Sequence, residues 1–285
     1  MNTGSQPPMT NARRRWVLLA TVLGSAVVFL DGTVVNIALP TIGRDLPSRL
    51  VTTLEGQTYV YNVYLLSLSS LLLLAGSVSD RFGRRRTLIW GLVGFGMASL
   101  LCGIAPNIEL LITFRFLQGA AGALLVPGSL ALLREAFPTG PEQGRAFGRW
   151  ASGTAVAILA GPLIGGILVD LASWRWVFLI NIPVIAAALV AAGRGVARDG
   201  APKGGNEGRL DWLNAGISVV AIGGITTSII YGQAHNWQTV WVWPLLLGGL
   251  LAAGVLPFSL RRSTHPLVPL ELFKSRDFVA VNLGT

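Results

Sequence analysis

GSVSDRFGRRR, Gly76 to Arg86, lies between two long apolar runs, and its reading decides the fold. An aspartate and four arginines surround a glycine where one greasy segment stops and the next begins. These charges enter hydrocarbon only at high cost, so the stretch reads as a tight hairpin at a membrane surface, on the cytoplasmic side. Asp80 is placed to pair with arginines at the start of the following helix. Gly76 is expected to let a neighbouring helix approach, and Gly83 to take a positive φ in the turn.

Composition agrees with a membrane setting. Hydrophobic residues make up 52% of the chain and charged residues only 12%, and mean hydropathy is +0.61. About 20 apolar residues cross ~30 Å of hydrocarbon. Such runs recur at 16–38, 57–79, 87–105, 108–133, 146–169, 174–192, 212–231 and 241–260. An all-α, polytopic membrane protein of eight spans is therefore expected. A ninth span is expected to start at Phe278 and to be cut off at Thr285.

The net charge of +9 raises the question of nucleic acid, and the positions of the cations answer it. Arg13, Arg14 and Arg15 precede the first span; Arg81, Arg84, Arg85 and Arg86 follow the second; Arg134, Arg145 and Arg149 follow the fourth. Arg194, Arg198, Lys203 and Arg209 follow the sixth, and Arg261, Arg262, Lys274 and Arg276 the eighth. The opposite side carries only Arg44, Arg49 and Arg175. This asymmetry predicts a cytoplasmic amino terminus and leaves no role for nucleic acid, and the excess of arginine over lysine hints at a GC-rich bacterial coding sequence and so at a bacterial cell membrane. The run after Arg15 is too long for a secretory signal, carries an aspartate and is followed by further spans, so it reads as a retained first helix. Trp174, Trp176, Trp237, Trp241 and Trp243 fall at outer span ends, as an aromatic belt would.

Short connections join the first six spans, whereas Gly193 to Leu210 is rich in glycine and charge and has no apolar period. The expected organisation is a cytoplasmic tail at 1–15, a six-span bundle at 16–192, a cytoplasmic linker at 193–210, two additional spans at 211–260, and a cytoplasmic loop with the start of a truncated span at 261–285.

The Gly76–Arg86 stretch closely resembles the loop signature of the major facilitator superfamily, GxLaDrxGrrx, with Val78 and Ser79 replacing its leucine and alanine. Six spans, a linker and two further spans resemble the amino-terminal portion of its fourteen-span drug/proton antiporter branch. That resemblance implies a missing carboxyl-terminal six-helix bundle. It also implies that Gly76, Asp80, Arg81, Gly83, Arg84 and Arg85 form a conformational latch at the cytoplasmic rim.

Inside the spans, two charges stand out. Asp31, in LDGTVVNIALP, is costly in hydrocarbon and implies either work or a partner. Arg115, in LLITFRFLQGAAGA, is the one cation within a span. Each lies about seven residues from the outer end of its helix, roughly 10 Å deep at ~1.5 Å per residue, so the two share a depth. A structural alternative for Asp31 is a buried aspartate held by hydroxyls or by an arginine. In the superfamily the first and fourth spans line the central cavity, and the pattern RxxQGxxxA, here Arg115, Gln118, Gly119 and Ala123, is associated with proton coupling. The expectation is that Asp31 alternates between protonated and charged forms and trades a proton against cargo. Burial favours the neutral carboxyl and a neighbouring guanidinium the charged one.

Gly153, Ala157, Gly161 and Gly165 recur at intervals of four, followed by Gly166 and interrupted by Pro162. Such a stripe lets backbones touch, and alone it would signify ordinary close packing. The whole run GTAVAILAGPLIGG resembles the antiporter motif of exporters in the superfamily, which implies packing against the other half and bending during transport. Asn36, Gln57, Asn62, Tyr64, Gln118 and Asn181 are candidates for a substrate pathway, each equally a helix-to-helix hydrogen bond.

One cysteine, Cys102, excludes an internal disulfide, and the two histidines, His235 and His265, lie in loops, so neither a metal site nor a cofactor is expected. No nucleophile with a base, and no paired intramembrane carboxylates, point to an enzyme. The reading is a proton-coupled exporter of small amphiphilic molecules, cations among them. The alternatives are an uptake carrier of the same superfamily, or a non-transporting fragment that needs a second bundle from another polypeptide.

Overall fold

A computed structural model describes residues 9–137, 140–197, 212–234 and 237–262. Every regular element among them is a helix: α1 (Asn11–Asp45), α2 (Thr53–Phe82), α3 (Arg84–Gly103), α4 (Ile108–Ala136), α5 (Pro141–Leu171), α6 (Trp176–Leu179), α7 (Asn181–Gly195), α8 (Trp212–Ala234) and α9 (Val242–Arg262). The sixth expected span is the pair α6 and α7, and α2 is bent by 54° between Thr53–Leu72 and Leu74–Phe82. With α2 taken as one span, the eight expected crossings are present among the described residues. The expected start of a span at Phe278, the histidines His235 and His265, and all but the first residues of the 193–210 linker lie outside the described residues.

Local chemistry sets the helix ends. Thr52 and Glu55 form a reciprocal capping box at the start of α2, and the Asn107 side chain accepts from Leu110 N at 2.9 Å to start α4. Gly140 (φ 134°) and Pro141 begin α5. Pro183 has no N–H to offer the Leu179 carbonyl, which accounts for the break between α6 and α7 at Ile180. Along α2, Ser67 and Ser69 turn their hydroxyls back onto the carbonyls of Tyr64 (3.1 Å) and Leu66 (3.2 Å), a competition with the backbone ladder that bends helices.

Helix α1 is the hub, packing against α2, α4, α5, α6 and α7. Two apolar clusters are stacked along it. One, toward the arginine-rich end, gathers Val17, Val27, Leu88, Phe95, Leu125 and Ala192. The other, toward the opposite end, gathers Val34, Ile42, Cys102, Ile108, Leu111 and Phe178. Between them, α1, α3, α4 and α7 each contribute polar side chains at the same level, and this layer is the candidate site.

Beyond the bundle, α8 leans on α2, where Gly223 leaves room for the Ser70 hydroxyl, and α8 meets α9 where Gly224 and Gly249 stand backbone to backbone. Of the expected aromatic belt, Trp176, Trp237, Trp241 and Trp243 are exposed. Trp174 is not: it is buried edge-on against Phe178 at 6.2 Å, with the Arg175 guanidinium 4.4 Å above its ring. Arg175 donates to the carbonyls of Gly103 (2.9 Å) and Ala105 (3.0 Å), so this corner clamps the end of α3 rather than facing outward.

Candidate functional site

Asp31 and Arg115 share a depth and touch. Arg115 Nη1 donates to Asp31 Oδ2, and both side chains are fully buried. The second carboxylate oxygen, Oδ1, accepts from Gln118 Nε2 at 2.9 Å and from Asn181 Nδ2 at 2.9 Å. Ser99 of α3 ties the two amides together, its hydroxyl oxygen accepting from Gln118 Nε2 (2.8 Å) and Asn181 Nδ2 (3.2 Å).

The guanidinium is held with equal care. Its Nε donates to the Val60 carbonyl at 3.1 Å and its Nη1 also to Gln118 Oε1 at 2.7 Å. Its carbon lies 4.0 Å from the centre of the Tyr64 ring and 5.8 Å from that of Phe178, a desolvated cation–π arrangement. Tyr64 is fixed by donating its hydroxyl proton to the Val28 carbonyl at 2.9 Å. Cys102 closes the layer, its thiol 3.6 Å from Gln118 Oε1. Gly119 keeps α4 close to α2: a side chain there would collide with Ser67 and with the Tyr64 carbonyl.

A single carboxylate thus receives three donors from two helices, and its cationic partner is matched by two carbonyl-type acceptors and two aromatic faces. Such a cluster can hold one negative charge in a dry interior, and it makes any change in that charge felt by four helices at once.

The sequence profile of the Major Facilitator Superfamily matches residues 21–260. The chain belongs to this superfamily. Its relatives include a methylenomycin A resistance protein of Bacillus subtilis (strain 168), 36% identical over 98% of this chain and 58% of that protein. A tetracenomycin C resistance and export protein of Streptomyces glaucescens is 38% identical over 95% of this chain and 49% of its own length. A lincomycin resistance protein of Streptomyces lincolnensis is 38% identical over 96% and 55%. The chain therefore spans about half the length of the curated relatives it matches. Among solved structures, a bacterial homologue of the lysosomal transporter Spinster, inward-facing and unoccupied, superimposes with a TM-score of 0.53 at 19% identity, over 95% of this chain and 64% of that one. The peptide transporter POT gives 0.55 at 15%, over 75% and 50%. At these identities the likeness concerns the fold alone. The superfamily is one of multi-pass membrane transporters and not of enzymes, as the sequence reading has it.

The superfamily loop signature closes in a glycine turn, as expected. Gly83 (φ 99°) is the single residue between α2 and α3. Asp80 reaches Arg84 at 4.0 Å, and Arg84 donates to Glu135 of α4 at 3.0 Å and to the Ala131 carbonyl at 3.3 Å. The Arg81 guanidinium lies 5.4 Å from the Phe82 ring. At Gly76 the place a side chain would occupy has no atom within 4 Å among the described residues.

The exporter-motif stripe meets α1. A side chain at Gly153 would meet Val22 at 2.5 Å, one at Gly161 would collide with Thr33, and one at Gly165 would meet the Val34 carbonyl at 3.0 Å. Gly153, Ala157, Gly161 and Gly165 thus pack along α1 of the same bundle. Gly166 faces open space and Pro162 is exposed. The physical reason is that α1 is the central helix, and only small side chains let α5 lie along it.

Of the six pathway candidates, three are sealed inside the charged layer: Tyr64, Gln118 and Asn181 are inaccessible to cargo in this conformation. Asn36 is exposed, Asn62 is half-buried, and Gln57 is half-buried against Gly43 of α1. The Asp31 side chain is likewise 0% accessible in this conformation. The sequence reading missed Ser99. Its position three residues before Cys102, on the inward face of α3, is the signal that was available. The other omission is Glu109, whose carboxylate accepts from Arg49 N (2.7 Å), Leu50 N (3.0 Å) and the Ser48 hydroxyl (3.1 Å) to brace the loop between α1 and α2.

Proposed function

We propose that this chain forms the amino-terminal bundle of a proton-driven exporter of small amphiphilic molecules, cations among them, in a bacterial cytoplasmic membrane with its amino terminus in the cytoplasm. The observation that carries the reading is the single acid and single base sealed against each other at the level where four helices meet. The resistance and export functions named for its relatives set the direction of transport. The arginine-rich loops support the orientation.

Protonation of Asp31 removes the charge that balances Arg115 and leaves a buried guanidinium undercompensated, a penalty of several kcal/mol. That penalty is relieved when the helices part and let water or lipid headgroups reach the site, so the proton biases the bundle between two arrangements. Cargo acts on the same equilibrium by way of Asn36, Gln57 and Asn62, through conformation and not through contact with the carboxylate. Each bundle rocks against an opposing six-helix bundle supplied by a longer chain or by another polypeptide. Gly76, bare on one face, provides the surface for that bundle's close approach, with Asp80, Arg81, Gly83, Arg84 and Arg85 as the latch around it.

Drug accumulation in cells with and without the complete gene tests direction: lower accumulation with the gene is expected, and higher accumulation would establish uptake. In inverted vesicles, Asp31→Asn is expected to abolish proton-driven uphill transport while the protein still inserts. Retained uphill transport by this variant would overturn the coupling role.

A further inference from the structure

Two polar atoms of the charged layer have no hydrogen-bond partner among the described residues: Arg115 Nη2, beside the Tyr64 ring, and Asn181 Oδ1. The second is the informative one. In the charged state Asp31 is surrounded by donors alone, from Arg115, Gln118 and Asn181. Once the carboxyl takes up a proton it becomes a donor itself and requires an acceptor. Gln118 Oε1 is occupied by Arg115 Nη1 and the Cys102 thiol, and rotating that amide would point its NH2 at the guanidinium. Asn181 Oδ1 is an acceptor with nothing bound to it, on a side chain that is 0% exposed and already touches the carboxylate.

We infer that Asn181 is the residue that reads the protonation state of Asp31: its side-chain amide rotates to accept the carboxyl proton, so that one amide serves both forms of the acid. This rests on the proposed titration of Asp31. The balance is simple. A proton from water binds a carboxylate oxygen, the carboxyl O–H then donates to Asn181 Oδ1, and the bonds from Asn181 Nδ2 to Asp31 Oδ1 and Ser99 Oγ are given up. No covalent bond to the protein other than that O–H is made or broken.

The position of Asn181 explains how the exchange is transmitted. It is the first residue of α7, directly after the break at Ile180, where Pro183 withholds an N–H from the backbone ladder. A switch of bonding partners there acts on a helix end already freed to pivot, and α7 runs along α1 to Gly195, whose backbone lies against Trp16 and Val17. The ionisable groups facing Asp31 are Arg115 from α4, Tyr64 from α2 and Cys102 from α3; α6 presents Phe178 and α7 the uncharged Asn181.

The test is infrared difference spectroscopy of the full-length protein in lipid vesicles across a pH titration. A carboxyl C=O band that appears on acidification and is missing in Asp31→Asn identifies the protonated acid. In Asn181→Leu, which fills the site but cannot accept, that band is expected at higher frequency because the O–H has lost its acceptor; Asn181→Ser, with a hydroxyl oxygen, is expected to restore it toward the native position. Since Asn181 bonds to both forms, the band's position and not its titration midpoint is the readout. Should the leucine variant not fold, amide-labelled asparagine in the unmutated protein is expected to show an amide band changing in the same pH step, and this change is expected to vanish in Asp31→Asn. An Asp31 band at the same frequency in native, leucine and serine proteins, or a labelled amide that ignores the pH step, overturns the inference and leaves proton coupling standing. Absence of any Asp31 band at any pH overturns the coupling reading and the inference with it.

Discussion

Among the described residues, Arg115 and Arg84 each pair with carboxylates, in opposite settings. Arg115 and Asp31 are wholly buried between two apolar clusters, and both carboxylate oxygens accept from protein donors. Arg84, at the rim, reaches Asp80 at 4.0 Å and Glu135 at 3.0 Å, with a third of its side chain and more than half of each carboxylate in solvent. The contrast teaches that ion pairing is not the quantity that matters in either place. In the core, the cost of an uncompensated charge gives the pair its leverage. At the rim, water supplies the alternative partner, and the pair orients the α2–α3 turn toward α4 with little energy at stake.

The largest break of this contrast is truncation in the core. Asp31→Ala leaves Arg115 buried without its counter-charge and is expected to cost about 3–5 kcal/mol. Heating in detergent, with the folded fraction followed by size-exclusion chromatography, measures it. A double variant, Asp31→Ala with Arg115→Met, is expected to recover most of that loss, because the charge is removed together with its partner. Failure of the double variant to recover would mean that the packing of the two side chains, and not their charge, supports the core.

Much of this arrangement was legible in the residues and some was not. Eight spans were readable because a bilayer imposes a minimum length on any apolar crossing, and the shared depth of Asp31 and Arg115 followed from counting residues inward from two helix ends. Which faces meet was hidden. Helices apolar all round carry little periodicity to aim them, so the spacing of the Gly153–Gly165 stripe does not disclose that it lies along α1. For the same reason the sequence leaves Tyr64, Gln118 and Asn181 open between a pathway and helix-to-helix bonding, whereas Gln118 and Asn181 bond to the Asp31 carboxylate and Tyr64 lies against the Arg115 guanidinium. Ser99 went unnoticed because a serine in an apolar run has no signature until its neighbours are known.

A second, smaller effect sharpens the comparison by disturbing the core without touching its charges. Gly119→Val would push a side chain into Ser67 and the Tyr64 backbone, where α2 and α4 are in contact. Overpacking of this kind costs about 1–3 kcal/mol. It is also expected to move Tyr64 off the Arg115 face, so the pH dependence of transport should change along with stability. A stability loss with an unaltered pH profile would show that the ring's place over the guanidinium is dispensable for coupling. At the rim the corresponding backbone test is Gly83→Ala. Its φ of 99° suits only glycine well, and the substitution is expected to cost about 1 kcal/mol or slightly more.

The smallest effect belongs to the rim ions themselves. Arg84→Ala and Glu135→Ala are each expected to lower stability by about 0.2–1 kcal/mol, and raising ionic strength should erase most of the difference from the unsubstituted protein. The core pair offers the internal control, because a dry contact is screened far less, and the Asp31→Ala deficit should persist at the same salt concentration. If rim and core variants respond alike to salt, then water and ions reach Asp31 readily and the layer is not sealed. If only the rim responds, the layer is closed to ions, as the coupling proposed for Asp31 requires.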